Sequence, residues 1–162
     1  MEHIVYWMVS SLLWLLMVSK SSCHLCLLSP PQRGSISGLN KPGSNDCMLL
    51  KYPCGGRPAG KHSEILRVGQ NFTVIFQKNL NHYTAASPGG FSIYLGDEQG
   101  GMFKTLAQIN DMNEPDLHLY TVDVTIPSFK LKKQLFLQTV YVTSNPKAPA
   151  VFYQCSDVMI FN

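Results

Sequence analysis

The chain has 162 residues, 13 Lys and Arg against 10 Asp and Glu, and a formal net charge of +3. This length suits one domain behind a leader, and so mild and scattered a charge excludes the basic face that nucleic-acid binding requires. Five cysteines are an awkward number for a secreted chain, in which cysteines pair.

The first element is Ile4 to Val18, apolar apart from Ser10 and Ser11. It matches the core of a secretory leader and falls short of the roughly 20 apolar residues of a membrane span. Cleavage favours small residues at the last and third-last positions, which places the cut after Cys23, with Ser21 at the other position. The expected organisation is therefore a signal peptide over 1–23 and a single secreted, extracellular domain over 24–162. Only an uncleaved leader would associate the chain with a membrane. Losing Cys23 leaves Cys26, Cys47, Cys54 and Cys155, enough for two disulfides in any of three connectivities.

"HLCLL" from His24 is the first predicted strand. From Pro30 to Gly60 the chain is dense in Pro, Gly, Ser and Asn, which predicts a long ordered loop held by Cys47 and Cys54. Asn71-Phe72-Thr73 is a sequon, so Asn71 is a candidate glycosylation site. Short β-rich runs follow over 71–76, 91–96, 117–127, 134–143 and 151–161, each bounded by Gly, Pro or Asn. "MFKTLAQI" reads equally as a helical turn or a strand. About six or seven strands with no long amphipathic helix predict an all-β sandwich.

Four histidines lie beyond the leader: His24, His62, His82 and His118. A processed His24 would offer an α-amine and a ring nitrogen from one residue, and a second imidazole would complete a T-shaped set of three nitrogens. Such a planar set suits Cu(II), whose preferred geometry is tetragonal. The residues alone leave the second histidine open. Cys47 and Cys54 lack the companion pair that a zinc site needs. The sequence also has no phosphate loop, G-x-S-x-G elbow or H-E-x-x-H helix.

An initial His24 followed by "LLSPPQRG", "YPCGG", "NHY", "PGGFSI" and a closing "VFYQCSDVMI" resembles the histidine-brace copper superfamily. Within it, the lytic polysaccharide monooxygenases and the copper-acquisition-factor-like secreted proteins are the two nearest branches. The resemblance implies an immunoglobulin-like sandwich with copper held by the amine and ring of His24 and the ring of His82. The monooxygenase branch implies Phe152 on the axial side and Gln154 as a donor near bound oxygen; the other branch implies a carboxylate, for which Asp157 is the candidate. Because side chains alternate along a strand, Phe152 and Asp157 are expected on opposite faces. Ala85 and Ala86 are small enough to leave an axial position open.

The reading favoured by the sequence is copper capture or homeostasis, with the copper ion as partner. One alternative is a copper-dependent oxidase of chitin or a related extracellular polysaccharide. The other is a metal-free structural or adhesive sandwich.

Overall fold

The computed structural model describes residues 24–97, 102–128 and 133–161. The proposed leader lies outside the described residues. Eight strands are present among them: β1 (His24–Ser29), β2 (Glu64–Arg67), β3 (Asn71–Leu80), β4 (Gly90–Gly96), β5 (Met102–Asn110), β6 (His118–Thr125), β7 (Lys133–Val142) and β8 (Val151–Phe161). They form a three-stranded sheet, β1-β3-β6, and a five-stranded sheet, β2-β8-β7-β4-β5. Each paired strand is antiparallel to its neighbours except β2, which runs parallel to β8.

Alternation explains how the two layers close. Along β6, Tyr120 and Val124 are buried while Leu119, Thr121, Asp123 and Thr125 are exposed, the period-2 pattern of a strand with one wet face. Leu25, Leu27, Val74, Phe76, Tyr120 and Val124 from the smaller sheet meet Phe91, Ile93, Leu137, Tyr141, Phe152 and Val158 from the larger in one core. Phe91 anchors its aromatic part, 4.3 Å from the Tyr141 ring and 4.8 Å from that of Tyr120 between centroids.

β8 departs from simple alternation, because Gln154 through Val158 are all buried. Its outer face is covered by the Pro/Gly-rich loop, as the long connection after β1 requires. Cys54 bonds to Cys155, forming a second small cluster with Phe136. Cys26 bonds to Cys47, which lies in a single 3-10 turn at Asn45–Cys47. Thus the two loop cysteines are fixed by separate bridges, one to β1 and one to β8. Arg57 adds a third tie through Asp46 and the carbonyls of Arg33 and Ser35.

The structure settles one alternative the sequence left open and adds one element. "MFKTLAQI" is strand throughout, as β5, because pairing with β4 overrides the helix-favouring Met, Lys, Leu, Ala and Gln. β2 was not foreseen and brings the count above seven. At the turn before β4, Gly89 packs so closely that a Cβ would stand 2.0 Å from the Val142 carbonyl, so no other residue fits there.

Candidate metal centre

His24 opens β1 and pairs with Leu80, the last residue of β3. His82 lies two residues beyond Leu80, at the same end of the same sheet. Diagonal neighbours of this kind on antiparallel strands have α-carbons on the order of 7–8 Å apart, a span that two imidazoles converging on one ion can bridge. Both histidines are buried, at 1% and 5% exposure. A register irregularity between His24 and Leu25 places Asn79 in β3 opposite no β1 residue, a bulge at the rim of the sandwich. Asn79 uses its side chain there, accepting from Ser44 N at 3.0 Å and donating to Gln77 at 2.8 Å. This fixes the loop carrying Gly43, whose left-handed backbone (φ 81°) lies beside the His24 ring.

The other two histidines are elsewhere. His118 pairs with Lys78, on the side of β3 away from β1. A full strand separates it from β1, a distance of about 10 Å at ordinary strand spacing. Its ring meets Tyr120 edge-on at 4.8 Å. His62 is exposed in the loop before β2.

Phe152 and Gln154 project from the core face of β8. Phe152 is fully buried, and its ring lies 6.4 Å from that of Tyr141. The Gln154 amide donates to the Leu25 carbonyl at 2.8 Å and the Asp46 carbonyl at 3.0 Å, tying the start of β1 to the loop beside it. Its Oε1 is buried with no hydrogen-bond partner among the described residues. Asp157 projects from the opposite face. Arg33 Nη2 donates to its Oδ1 at 2.5 Å, Arg33 Nε reaches both oxygens at 3.1 Å, and Gly60 N donates to Oδ2 at 3.0 Å. The carboxylate is thereby committed to the outer face. Ala85 and Ala86 are exposed in the segment after His82. Asn71 is exposed at the start of β3, accepting a bond from Thr125 Oγ1.

The sequence reading missed a buried charge cluster at this end of the sandwich. Lys78 is completely buried, and its ammonium donates to Asp111 at 2.7 Å and Glu114 at 3.5 Å. Tyr141 donates to Asp111 and Tyr120 to Glu114, each at 2.5 Å. Burial raises the Glu114 pKa, but the Tyr120 hydroxyl, backbone N–H donors and Lys78 outweigh it and hold the carboxyl at about 2. Burial and the same hydrogen bond push Tyr120 up. The available signal was Lys78 at a core-facing parity in β3, beside the acid-rich "DMNEPD" of 111–116. A cation was required there, and the chain supplies its own.

Among the described residues, no three His, Cys, Asp or Glu side chains cluster to hold a metal. A brace requires no such cluster, since one of its three nitrogens is a backbone amine. His24 and His82 fit that donor set.

The fold is that of the lytic polysaccharide monooxygenases. One similar structure is a family AA15 monooxygenase from Thermobia domestica in the Cu(I) state, with 18% identity and a TM-score of 0.56 over 85% of this chain and 98% of that one. A second is the catalytic domain of a Listeria monocytogenes enzyme, with 16% identity and a TM-score of 0.51 over 86% of this chain and 100% of that one. A Jonesia denitrificans lytic polysaccharide monooxygenase aligns at 12% identity with a TM-score of 0.50 over 85% of this chain and 100% of that one. No family model and no curated relative matches the sequence.

Proposed function

We propose that the chain is a secreted Cu(II)-binding protein whose processed N-terminus holds the ion through the His24 amine, the His24 ring and the His82 ring, and that it captures extracellular copper. The observation that carries this reading is the β1–β3 register, which sets His82 two residues past the partner of His24. Further support comes from the shared fold, whose overlap of 85–86% of this chain matches the length from His24 onward. Cu(II) bound there would supply a redox-active, Lewis-acidic centre; the chain supplies the planar nitrogens and the wall formed by Gly43. Capture rather than polymer oxidation is favoured by the surface. Among the described side chains, Tyr52 is the one exposed aromatic, and it packs edge-on against Tyr153 on the outer face of β8, away from the core-facing Phe152 row.

A second reading, oxidation of chitin or a related polysaccharide, is supported by the face occupied by Phe152 and Gln154. In that reading Phe152 would wall the buried side of a copper ion held by the two histidines, and Gln154 would keep the start of β1 in place through the Leu25 carbonyl. The commitment of Asp157 to Arg33 weighs against a carboxylate at the metal.

The test begins with the intact mass of the secreted protein, expected to start at His24. Cu(II) titration followed by electron paramagnetic resonance should then give a tight type-2 signal. Peroxide-driven incubation with chitin and cellulose separates the readings: no oxidised sugars supports capture, and oxidised oligosaccharides establish the enzyme. A different first residue removes the amine ligand and leaves a metal-free adhesive sandwich.

A further inference from the structure

The cluster around Lys78 is connected to His82 through the loop between β5 and β6. Asp116 Oδ1 accepts the backbone N–H of Asn81 at 2.6 Å, and Asn113 Oδ1 accepts from the Asn81 side-chain amide at 3.0 Å. The remaining oxygen of that amide accepts Tyr83 N at 2.9 Å, closing an Asx turn around His82. From the β7–β8 loop, Asn145 Nδ2 donates to the His82 carbonyl at 3.0 Å. The backbone on both sides of His82, and the His82 carbonyl itself, is therefore fixed by loops joining different strands.

The clasping loop is itself anchored from inside. Asp111, buried at its start, accepts from Lys78, Tyr141 and Asn113 N, and its own N–H donates to Gly89. Glu114 accepts from Tyr120, Lys78 and Met112 N. Leu117 stands in the left-handed region at φ 65°, a conformation leucine holds only where surrounding contacts impose it. Gln77 donates to its carbonyl at 3.3 Å. A loop this heavily determined has little freedom to drift.

From these contacts we infer that the 111–117 loop is a positioning device for His82, with Asp116 and Asn113 gripping Asn81 and the buried Lys78 ammonium holding the loop rigid. The inference deepens the copper reading and rests on it for the purpose of the device. A flexible segment carrying His82 would have to be ordered by the metal at a cost in affinity, whereas a clasped one is ordered beforehand.

The test uses the chain beginning at His24 and three variants: Asp116→Ala, Asp116→Asn and Asn81→Ala. The bonds to Asn81 are exposed, so these changes leave the core intact. Cu(II) affinity is expected to fall by about 10–100-fold in Asp116→Ala and Asn81→Ala, the range for losing partners that orient a ligand. Asp116→Asn, which keeps an acceptor oxygen, should recover most of it. Hydrogen exchange of the metal-free protein should show faster exchange at the Asn81 amide in Asp116→Ala and at the Tyr83 amide in Asn81→Ala. Unchanged affinity together with unchanged exchange overturns the inference, as does faster exchange with unchanged affinity in a wild-type chain that binds copper. If the wild-type chain binds no copper, the brace reading fails by itself. The clasp is then judged by exchange at Asn81 and Tyr83 and by whether the His82 ring keeps one set of resonances in Asp116→Ala; no change in either rejects it.

Discussion

A buried ion pair on the outer face of β8 and the buried His82 ring show how single residues divide the work. Arg33 and Asp157 are each 5% exposed at the side chain, and the carboxylate accepts from both Arg33 and Gly60. Removing the cation alone leaves a buried charge without its partner. Arg33→Leu is therefore expected to lower stability by about 3–5 kcal/mol in urea unfolding. Copper affinity of the folded fraction should remain unchanged, because Asp157 faces away from the Phe152 row; a large loss would return Asp157 to the metal. His82→Ala should behave in the opposite way, keeping its unfolding midpoint near wild type while losing more than ~100-fold in Cu(II) affinity by competition titration, beyond the usual effect of an outer partner. Equal affinity in that variant would move the second ring to His118 or His62.

At the level of elements, the connection between β5 and β6 carries the clearest pH dependence. Glu114 is held at about 2, below its ordinary 4.5, when folded. A depressed carboxyl contributes stability that is present above 4.5 and is lost as pH falls toward 2. Glu114→Gln should therefore flatten the stability–pH curve in that window, as followed by circular dichroism during acid titration; an unchanged curve would place the acid sensitivity elsewhere. The two bridges also differ in what they constrain. Cys54–Cys155 closes 101 residues of sequence and Cys26–Cys47 only 21. Replacing the first pair by alanine should cost about 2–5 kcal/mol, and more than replacing the second, if loop-closure entropy dominates.

The same elements show why parts of the chain were legible and parts were not. β6 and β8 announced themselves through alternation and β-branched or aromatic residues bounded by turn formers. β2, with four residues, carries too few alternations to register, and it exists because β8 offers it a parallel edge. β5 was ambiguous because its residues favour helix locally while the sheet decides. For the site, the initial His24 and "NHY" were visible and the resemblance pointed to His82, but the residues alone left His118 and His62 open, because the nearness of His82 to His24 is a matter of strand register, a long-range property. The Lys78 cluster was hidden because a lysine in a strand ordinarily points to water, and only the three-dimensional arrangement shows Asp111 and Glu114 waiting for it.

On the scale of the whole molecule, the proposed site joins three distant parts of the sequence at one end of the sandwich: the start of β1, the segment after β3 and the loop ending at the Asn45–Cys47 turn. Disulfide Cys26–Cys47 and the Gln154 amide hold the first to the third, and the clasp on Asn81 holds the second. In the proposed brace, the two imidazoles are thus held by the folded chain before any metal arrives, and the third ligand, the α-amine, would be created by cleavage before His24. A chain in which the leader still precedes His24 has an amide nitrogen there, whose lone pair is delocalised into the carbonyl and is far less basic than that of an amine. Its Cu(II) affinity should fall at least as far as that of His82→Ala, with an altered hyperfine pattern, while its thermal midpoint remains close to that of the processed chain. The processed chain should also lose affinity as pH drops below the ~7.7–8 of an ordinary α-amine, because copper must displace that proton. Equal affinity in both chains at pH 7, or affinity indifferent to acid across that range, would show that the amine takes no part and that the two imidazoles bind through some other geometry.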